Sequence, residues 1–327
     1  MTLSAAQVDD KRDLNIAVVG TGRWGKTLVR VIGTDPALTV VAAISSGASI
    51  AKPVDDTIPV FPTWQAAVEE LSIDGFVLAV PPDIQPAIAE QIIAAGFPVF
   101  LEKPLALKRD AARDLLAVAK STGFTGLVNH VHLFAPEFVE LCRQLPSDHG
   151  VWEIKSISGN KGPYRDRWTA CSDWAPHDIA MCLAVMESAP HSVMARIVRS
   201  IEHDGRVYEN YEITLDFGRR GQAVILTGNA FDGHCREFNV RSGDTTLTYA
   251  ESASHQLSLV VGRNGHREHV DVDSVPPLNA ALEVFAHRIR HNTGGIGDLE
   301  GGVLVVEICA AAHESIDLAA PVTIAGY

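Results

Sequence analysis

The chain has 327 residues, 46% hydrophobic and 20% charged, with 26 Gly and 17 Pro. That length carries two domains of ordinary size, and the composition excludes a disordered or fibrous protein. Lys and Arg number 27 against 40 Asp and Glu, a net charge of −13, which repels polyanions and sets aside nucleic acid and anionic membranes as partners.

In chain order, residues 14–19 are almost continuously apolar, the pattern of a strand covered on both faces. A helix over 24–32 and a second buried strand over 38–44 follow. Thr63 is placed to cap a helix running to 71. Residues 75–80 form a strand stopped by Pro81 and Pro82. Then come a helix to about 95, a strand over 98–101, a helix over 109–120 and a strand at 127–128. Strands alternating with helices predict a doubly wound parallel sheet of the Rossmann type. Beyond residue 150 the pattern changes to successive strands at 151–158, 192–201, 207–217, 222–230, 237–240, 245–249 and 257–261, separated by Gly and Asp-Gly turns. An antiparallel sheet is the economical arrangement. Helices over 278–290 and 299–317, joined by a Gly-rich turn at 293–297, close the chain. The expected organisation is an NAD(P)-binding domain over 1–130 and an α+β substrate-binding and oligomerisation domain over 131–327. The C-terminal helix is expected to pack back on the first domain.

The five cysteines, Cys142, Cys171, Cys182, Cys235 and Cys309, are scattered and form no C-x-x-C pair. They suit reduced thiols better than a disulfide framework or a zinc cage. The N-terminal residues lack the basic start and apolar run of a signal peptide, and no apolar stretch reaches membrane-spanning length. The expected location is the cytoplasm.

Gly20-Thr21-Gly22-Arg23-Trp24-Gly25 fits G-x-G-x-x-G directly after the first strand and at the opening of a helix. The first Gly permits the tight turn, the second lets backbone amides approach a pyrophosphate, and the third brings helix and sheet together. The competing interpretation is a turn whose glycines serve packing alone. The usual ribose-binding carboxylate at the end of the second strand is absent: Ile44 is followed by Ser45, Ser46 and Gly47, Asp35 comes too early and Asp55 too late. With no acid to repel a 2′-phosphate, and with Ser45, Ser46 and Arg23 able to donate to one, a mild preference for NADP over NAD is expected. A ribose hydroxyl on Ser45 is the alternative.

At the end of the predicted strand over 98–101, Glu102-Lys103-Pro104 puts an amine at the edge where open α/β sheets bind ligands. Glu102 can balance its charge; alternatively Lys103 is an ordinary surface lysine. The glycine loop, Ala79-Val80-Pro81-Pro82 and Glu102-Lys103-Pro104 together resemble the glucose–fructose oxidoreductase/inositol dehydrogenase/MocA family, over essentially the whole chain. The resemblance implies a Rossmann domain followed by a domain with a large open antiparallel sheet. It further implies a catalytic, substrate-contacting role for Lys103, and Pro81, Pro82 and Glu102 join the expected cofactor-binding residues.

Asp173 and His177 stand four apart where a helix begins, on one face. They resemble the family's D-x-x-x-H motif, whose members line the substrate site opposite the nicotinamide. A histidine, with an ordinary pKa near ~6.5, suits exchange of an alcohol proton at neutral pH. The alternative makes Asp173 a helix N-cap and His177 a partly buried structural histidine. Pro176 is placed in the first turn, and Asp178 points elsewhere.

His130 is a candidate substrate contact. With His132 it completes no metal-ligand spacing, so no metal is expected. Lys161 to Trp168 concentrates positive charge in an acidic protein; Arg165 or Arg167 is expected to hold a phosphate or carboxylate of the substrate, with Tyr164 and Trp174 as further contacts. A solvated loop is the alternative. The expected function is hydride transfer between NADP or NAD and a secondary alcohol or ketone of a sugar, cyclitol or nucleotide sugar, in a homo-dimer or homo-tetramer. A cofactor-binding regulator without turnover and an imine or enone reductase are the rivals.

Overall fold

The computed structural model describes residues 13–45, 57–145, 151–273 and 275–326. Two compact units emerge, one drawn from Met1–Ala106, Asp110–Asn129 and Leu278–Glu300, the other from Leu107–Arg109, His130–Pro277 and Gly301–Tyr327.

The first unit alternates strand and helix: β1 (Leu14–Val19), α1 (Arg23–Ile32), β2 (Leu38–Ile44), β3 (Val60–Phe61), α2 (Trp64–Glu70), β4 (Gly75–Leu78), α3 (Gln85–Ala94), β5 (Val99–Glu102), α4 (Arg109–Thr122) and β6 (Gly126–Asn129). The strands form one six-stranded sheet in the order β3-β2-β1-β4-β5-β6, parallel throughout. Leu14, Ile16, Ala17, Val18, Phe76, Val77, Val99, Phe100 and Leu101 are fully buried because helices cover both faces. Trp64, Phe76 and Phe97 meet edge to face with ring centroids 5.3–6.2 Å apart. Thr63 caps α2 as its side chain implied, accepting from Ala66 N–H at 3.2 Å. The α7 helix (Pro277–His291) sets Phe285 against Phe100, centroids 5.7 Å apart.

The second unit opens with a short 3₁₀ turn (Val131–Phe134) and α5 (Pro136–Arg143). That helix was not expected from the sequence; Pro136 occupies its first turn, where a missing N–H costs nothing. After it come β7 (Trp152–Lys161), α6 (Ala170–Met186), β8 (Ser192–His203), β9 (Arg206–Asp216), β10 (Gly221–Gly228), β11 (Ala230–Ser242), β12 (Thr245–Glu251), β13 (Leu257–Arg263), β14 (His266–Val270), α8 (Ile296–Leu318) and β15 (Val322–Thr323). The nine strands pair in the order β14-β13-β12-β11-β7-β10-β9-β8-β15. The expected antiparallel sheet is corrected in one place: β7 and β10 run parallel. The α6 helix intervenes between β7 and the β8–β9–β10 meander, so β10 returns beside β7 through a crossover and not through a hairpin.

Helices α5, α6 and α8 pack on one face of this sheet. Ile179, Met181 and Cys182 of α6 meet Ile154, Ile213, Leu215 and Ile225 of the strands, all of them fully or almost fully buried. Burying each large apolar side chain there contributes roughly 1.5–3 kcal/mol, which fixes the helix that carries the Asp173–His177 pair.

Candidate active site

In the first unit the loop after β1 has the geometry its glycines imply. Gly20 has φ +103°, and a Cβ there would lie 2.4 Å from the Ala79 carbonyl oxygen; a Cβ on Gly25 would lie 1.9 Å from the Gly20 carbonyl oxygen. Only glycine fits either position. A Cβ on Gly22 would meet nothing within 4 Å, so the outer side of the loop is open to a ligand. The first turn of α1 carries no acidic side chain, and the helix N-terminus presents its partial positive charge unopposed. Arg23 and Trp24 are exposed, and Thr21 Oγ1 bonds Ser45 Oγ at 2.9 Å. Ser45 is thus buried at the foot of the loop; Ser46 and Asp55 lie outside the described residues. These residues fit a dinucleotide: a cradle of backbone amides at a helix N-terminus, with no side chain filling it.

The segment bearing Lys103 is pinned by a residue that the sequence reading passed over. Gln85, buried in the first turn of α3, donates from Nε2 to the carbonyls of Glu102 (2.6 Å), Pro104 (3.3 Å) and Leu105 (3.2 Å), and its Oε1 accepts from Glu102 N–H at 3.2 Å. Its only sequence signal is its place four residues after Pro81. The Lys103–Pro104 bond is cis. Asn129, at the end of β6, donates to the Glu102 carboxylate at 2.8 Å. Burial pushes the Glu102 carboxyl above the usual carboxylate range, opposed by hydrogen bonds from Asn129 and the Trp24 indole and by the Lys103 charge. Lys103 is half-buried, Pro81 is half-buried and Pro82 is buried.

In the second unit α6 begins earlier than its sequence suggests. Thr169 is the cap, its side chain accepting from Ser172 N–H at 3.2 Å, so Asp173 lies inside the helix and Pro176 in its second turn, not its first. The expectation of Pro176 in the first turn and the alternative of Asp173 as N-cap are both corrected by that threonine. The buried Asp173 accepts from Arg165 Nε at 2.9 Å. Arg165 also lies over the Trp168 ring, 5.7 Å from its centroid. Arg165, a candidate for an anionic ligand, is therefore engaged with the helix aspartate, while Arg167 is exposed.

His177 stands among other histidines. The His132 ring meets it edge to face with centroids 5.1 Å apart, and His130 does so at 6.3 Å. His132 Nδ1 shares a 2.8 Å hydrogen bond with the Tyr249 hydroxyl on β12, and burial pushes the Tyr249 phenol well above its ordinary value, keeping it protonated. Asp178 turns into the sheet. It is fully buried, accepting from Ser156 at 2.6 Å and Ser158 at 2.5 Å, with Arg236 Nη1 3.4 Å away. Tyr249 and Arg236 were missed by the sequence reading because they lie on strands far from the histidines in sequence. Their common signal is a polar residue on the buried phase of an alternating strand.

Trp174 is half-buried. Tyr164, with Tyr208, lines a cleft of about 770 Å³ bordered by Lys161, His203 and Arg206. There the Arg206 guanidinium lies 5.4 Å from the Tyr164 ring centroid. All five cysteines are free thiols. Among the described residues no helix is long and apolar enough to cross a membrane.

Residues 14–130 match the sequence model of the Gfo/Idh/MocA family, described as an oxidoreductase family with an NAD-binding Rossmann fold. Inositol 2-dehydrogenase of Rhizobium meliloti (strain 1021) is 23% identical over 224 residues, 65% of this chain and 68% of that protein. A protein of Magnetospirillum magnetotacticum MS-1 described as an oxidoreductase is 28% identical in its crystal structure, with a TM-score of 0.80 over 91% of this chain and 99% of that one. UDP-N-acetylglucosamine 3-dehydrogenase GnnA of Acidithiobacillus ferrooxidans shares the fold at 18% identity, with a TM-score of 0.78 over 94% of this chain and 99% of that one.

Proposed function

The chain belongs to the glucose–fructose oxidoreductase/inositol dehydrogenase/MocA family of NAD(P)-binding oxidoreductases, and from that premise we propose that it interconverts a secondary alcohol and a ketone on a sugar, cyclitol or nucleotide sugar. The observation that carries this reading is the open glycine cradle after β1 on the same sheet edge as Lys103 after β5. Relatives support the substrate class: one is named for inositol and one for a nucleotide sugar.

Gly20, Gly22 and Gly25, with Thr21, Arg23, Trp24 and Ser45, would hold the dinucleotide, Pro81, Pro82 and Glu102 completing its surroundings. When bound there, the dinucleotide would supply hydride-transfer chemistry. The proton is left to the chain's own groups. Lys103 donates a hydrogen bond to the substrate oxygen and steadies its charge. Gln85 and Asn129 keep the Lys103 segment in place. His177 takes up or returns the hydroxyl proton, and Asp173, steadied by Arg165, accepts from a neighbouring substrate hydroxyl. His130, Tyr164, Trp174 and Arg167 are proposed substrate contacts. NADP is preferred mildly over NAD, since no carboxylate follows β2 up to Ser45 to repel a 2′-phosphate. Exposed Ile197, Val198, Ile201 and Val207 on the β8–β9 ribbon support self-association as a dimer or tetramer.

The purified chain is offered each oxidised cofactor with a panel of sugars, cyclitols and nucleotide sugars, and nicotinamide reduction is followed by absorbance. Reduction with at least one alcohol is expected, with kcat falling about 10²–10³-fold in Lys103→Ala, the range for losing one donor to a developing oxyanion. Tight cofactor binding with no turnover across the panel points to a regulator, and consumption of reduced cofactor by imines or enones alone points to a reductase. Tighter dissociation constants for NAD than for NADP would refute the cofactor preference.

A further inference from the structure

The hydride chemistry makes no use of His234, Glu251 and His255, which the second unit gathers at one corner of its sheet. His234 lies on β11, Glu251 ends β12, and His255 sits in the turn leading to β13. The register pairs Arg236 with Glu251, so His234, two residues before Arg236, falls on the same face just past the end of β12. The turn is well tied: Ser252 N–H donates to the Gln256 carbonyl at 2.9 Å, His255 N–H to the Ser252 carbonyl at 2.9 Å, and Gln256 N–H to Ser252 Oγ at 3.1 Å. His255 has φ +60°, a left-handed conformation that returns its ring toward Glu251.

The donor atoms converge. His255 Nδ1 is 2.6 Å from Glu251 Oε1, and His234 Nε2 is 3.4 Å from Glu251 Oε2. His234 Nε2 is buried and makes no hydrogen bond among the described residues. The two imidazole centroids are 4.8 Å apart, and one ligand atom from each of the three residues lies within 4.8 Å of the others. Tetrahedral ligands at bond lengths of ~2.0–2.1 Å stand about 3.3 Å apart, a spacing these side chains reach with small rotations.

The charge balance also favours a cation. Arg236 lies between two carboxylates, 3.4 Å from Asp178 and 3.7 Å from Glu251. One guanidinium is shared between two carboxylates there, so Glu251 keeps acceptor capacity for a cation on the side of the two imidazoles. We propose that His234, Glu251 and His255 form a binding site for a divalent transition metal of the zinc class. Two imidazoles with one carboxylate select such ions over calcium or magnesium, which take oxygen ligands. The fourth position opens to water on the exposed side of His255. The bound metal replaces the two histidine–carboxylate contacts and clips β11, β12 and the following turn together. Arg236 stays beside Glu251 and fixes the carboxylate's orientation. No sequence spacing announces this site, because its ligands come from two strands and a turn.

The test uses the full chain stripped of metal with a chelator and titrated with Zn²⁺, followed by calorimetry, and with Co²⁺, followed by its visible absorption. One saturable ion per chain is expected, raising Tm. In His255→Gln and His234→Gln, affinity falls at least tenfold and the Tm rise disappears. The His255 side chain is 69% exposed, so His255→Gln is expected to keep the metal-free Tm of the parent, which separates lost ligation from lost folding. Failure to bind either ion saturably overturns the proposal. So does unchanged affinity in both variants, the result expected if the ion sits instead among the histidines around His177.

Discussion

The two units assemble their chemistry in different ways. In the first, the groups proposed to face a ligand come from short contiguous stretches at strand ends: the loop after β1, Ser45 after β2, Pro81 and Pro82 after β4, and Glu102 and Lys103 at the end of β5. In the second, a helix, a 3₁₀ turn and the strands of a broad sheet each contribute one side chain. His177 on α6 touches His132 after β6, and His132 bonds Tyr249 on β12. A parallel sheet brings all its strand ends to one edge, so local sequence is enough to build a site there. A mixed sheet with a helix on one face builds its site from residues opposed across the layer, and their neighbours in sequence carry no sign of it.

That contrast can be broken most severely at Asp178. Its carboxylate is fully buried with Ser156, Ser158 and Arg236 around it, and removing one partner of a buried pair strands the other. Asp178→Ala is expected to lower stability by about 3–5 kcal/mol, measured as urea-induced unfolding. A loss below ~1 kcal/mol would mean that the polar cluster does not organise the second unit.

The glycine loop gives a smaller and more selective effect. Gly22→Ala meets no atom in the folded chain, so Tm is expected to hold while the added methyl obstructs the approach of the pyrophosphate. A rise in cofactor Kd of roughly tenfold, ~1.4 kcal/mol, is expected by fluorescence titration. Gly25→Ala, whose Cβ would collide with the Gly20 carbonyl, should lose Tm as well. Equal behaviour of the two variants would show that the loop serves packing alone.

The smallest effect is a pH slope. Burial raises the Glu102 carboxyl in the folded chain, so the folded state holds this proton to higher pH than the unfolded state does. The contribution of Glu102 to stability is therefore fully present below the ordinary carboxylate pKa of about 4.3 and is lost as pH rises through the raised value. Glu102→Gln removes that slope, and subtracting the variant's unfolding free energy from the parent's between about pH 4 and 7 should show it. A difference that is flat with pH would mean that Asn129, Trp24 and Lys103 fully offset the burial.

Much of the first unit was legible because its signals are local. The continuous apolar runs of β1 and β5, the Thr63 cap and the G-x-G-x-x-G turn each act over a few residues, and each expected element lies within a residue or two of its place; the two-residue β3 (Val60–Phe61) was not expected, being too short to show a pattern. The second unit was legible in its strands and less so in their pairing. The 222–230 run ends at Gly228, and β11 begins at Ala230 and continues through the predicted 237–240 segment to Ser242; the short β14 and β15 carry too few residues for alternation to show. Pro136 carried no expectation, and Pro176 was expected in a first turn. The first sits in the opening turn of an unexpected helix and the second lies inside a helix that starts earlier, because Thr169 caps it.

The sequence by itself determined the parallel nucleotide-binding layer, the loop that only glycine can form, and the candidacy of Lys103, Asp173 and His177, since each depends on backbone geometry or spacing within one element. Only the tertiary structure decided that Gln85 pins the Lys103 segment, that Arg165 is spent on Asp173, and that His234, Glu251 and His255 converge. Those contacts depend on strand register and helix packing, which join residues up to tens of positions apart and leave no periodic trace in the chain.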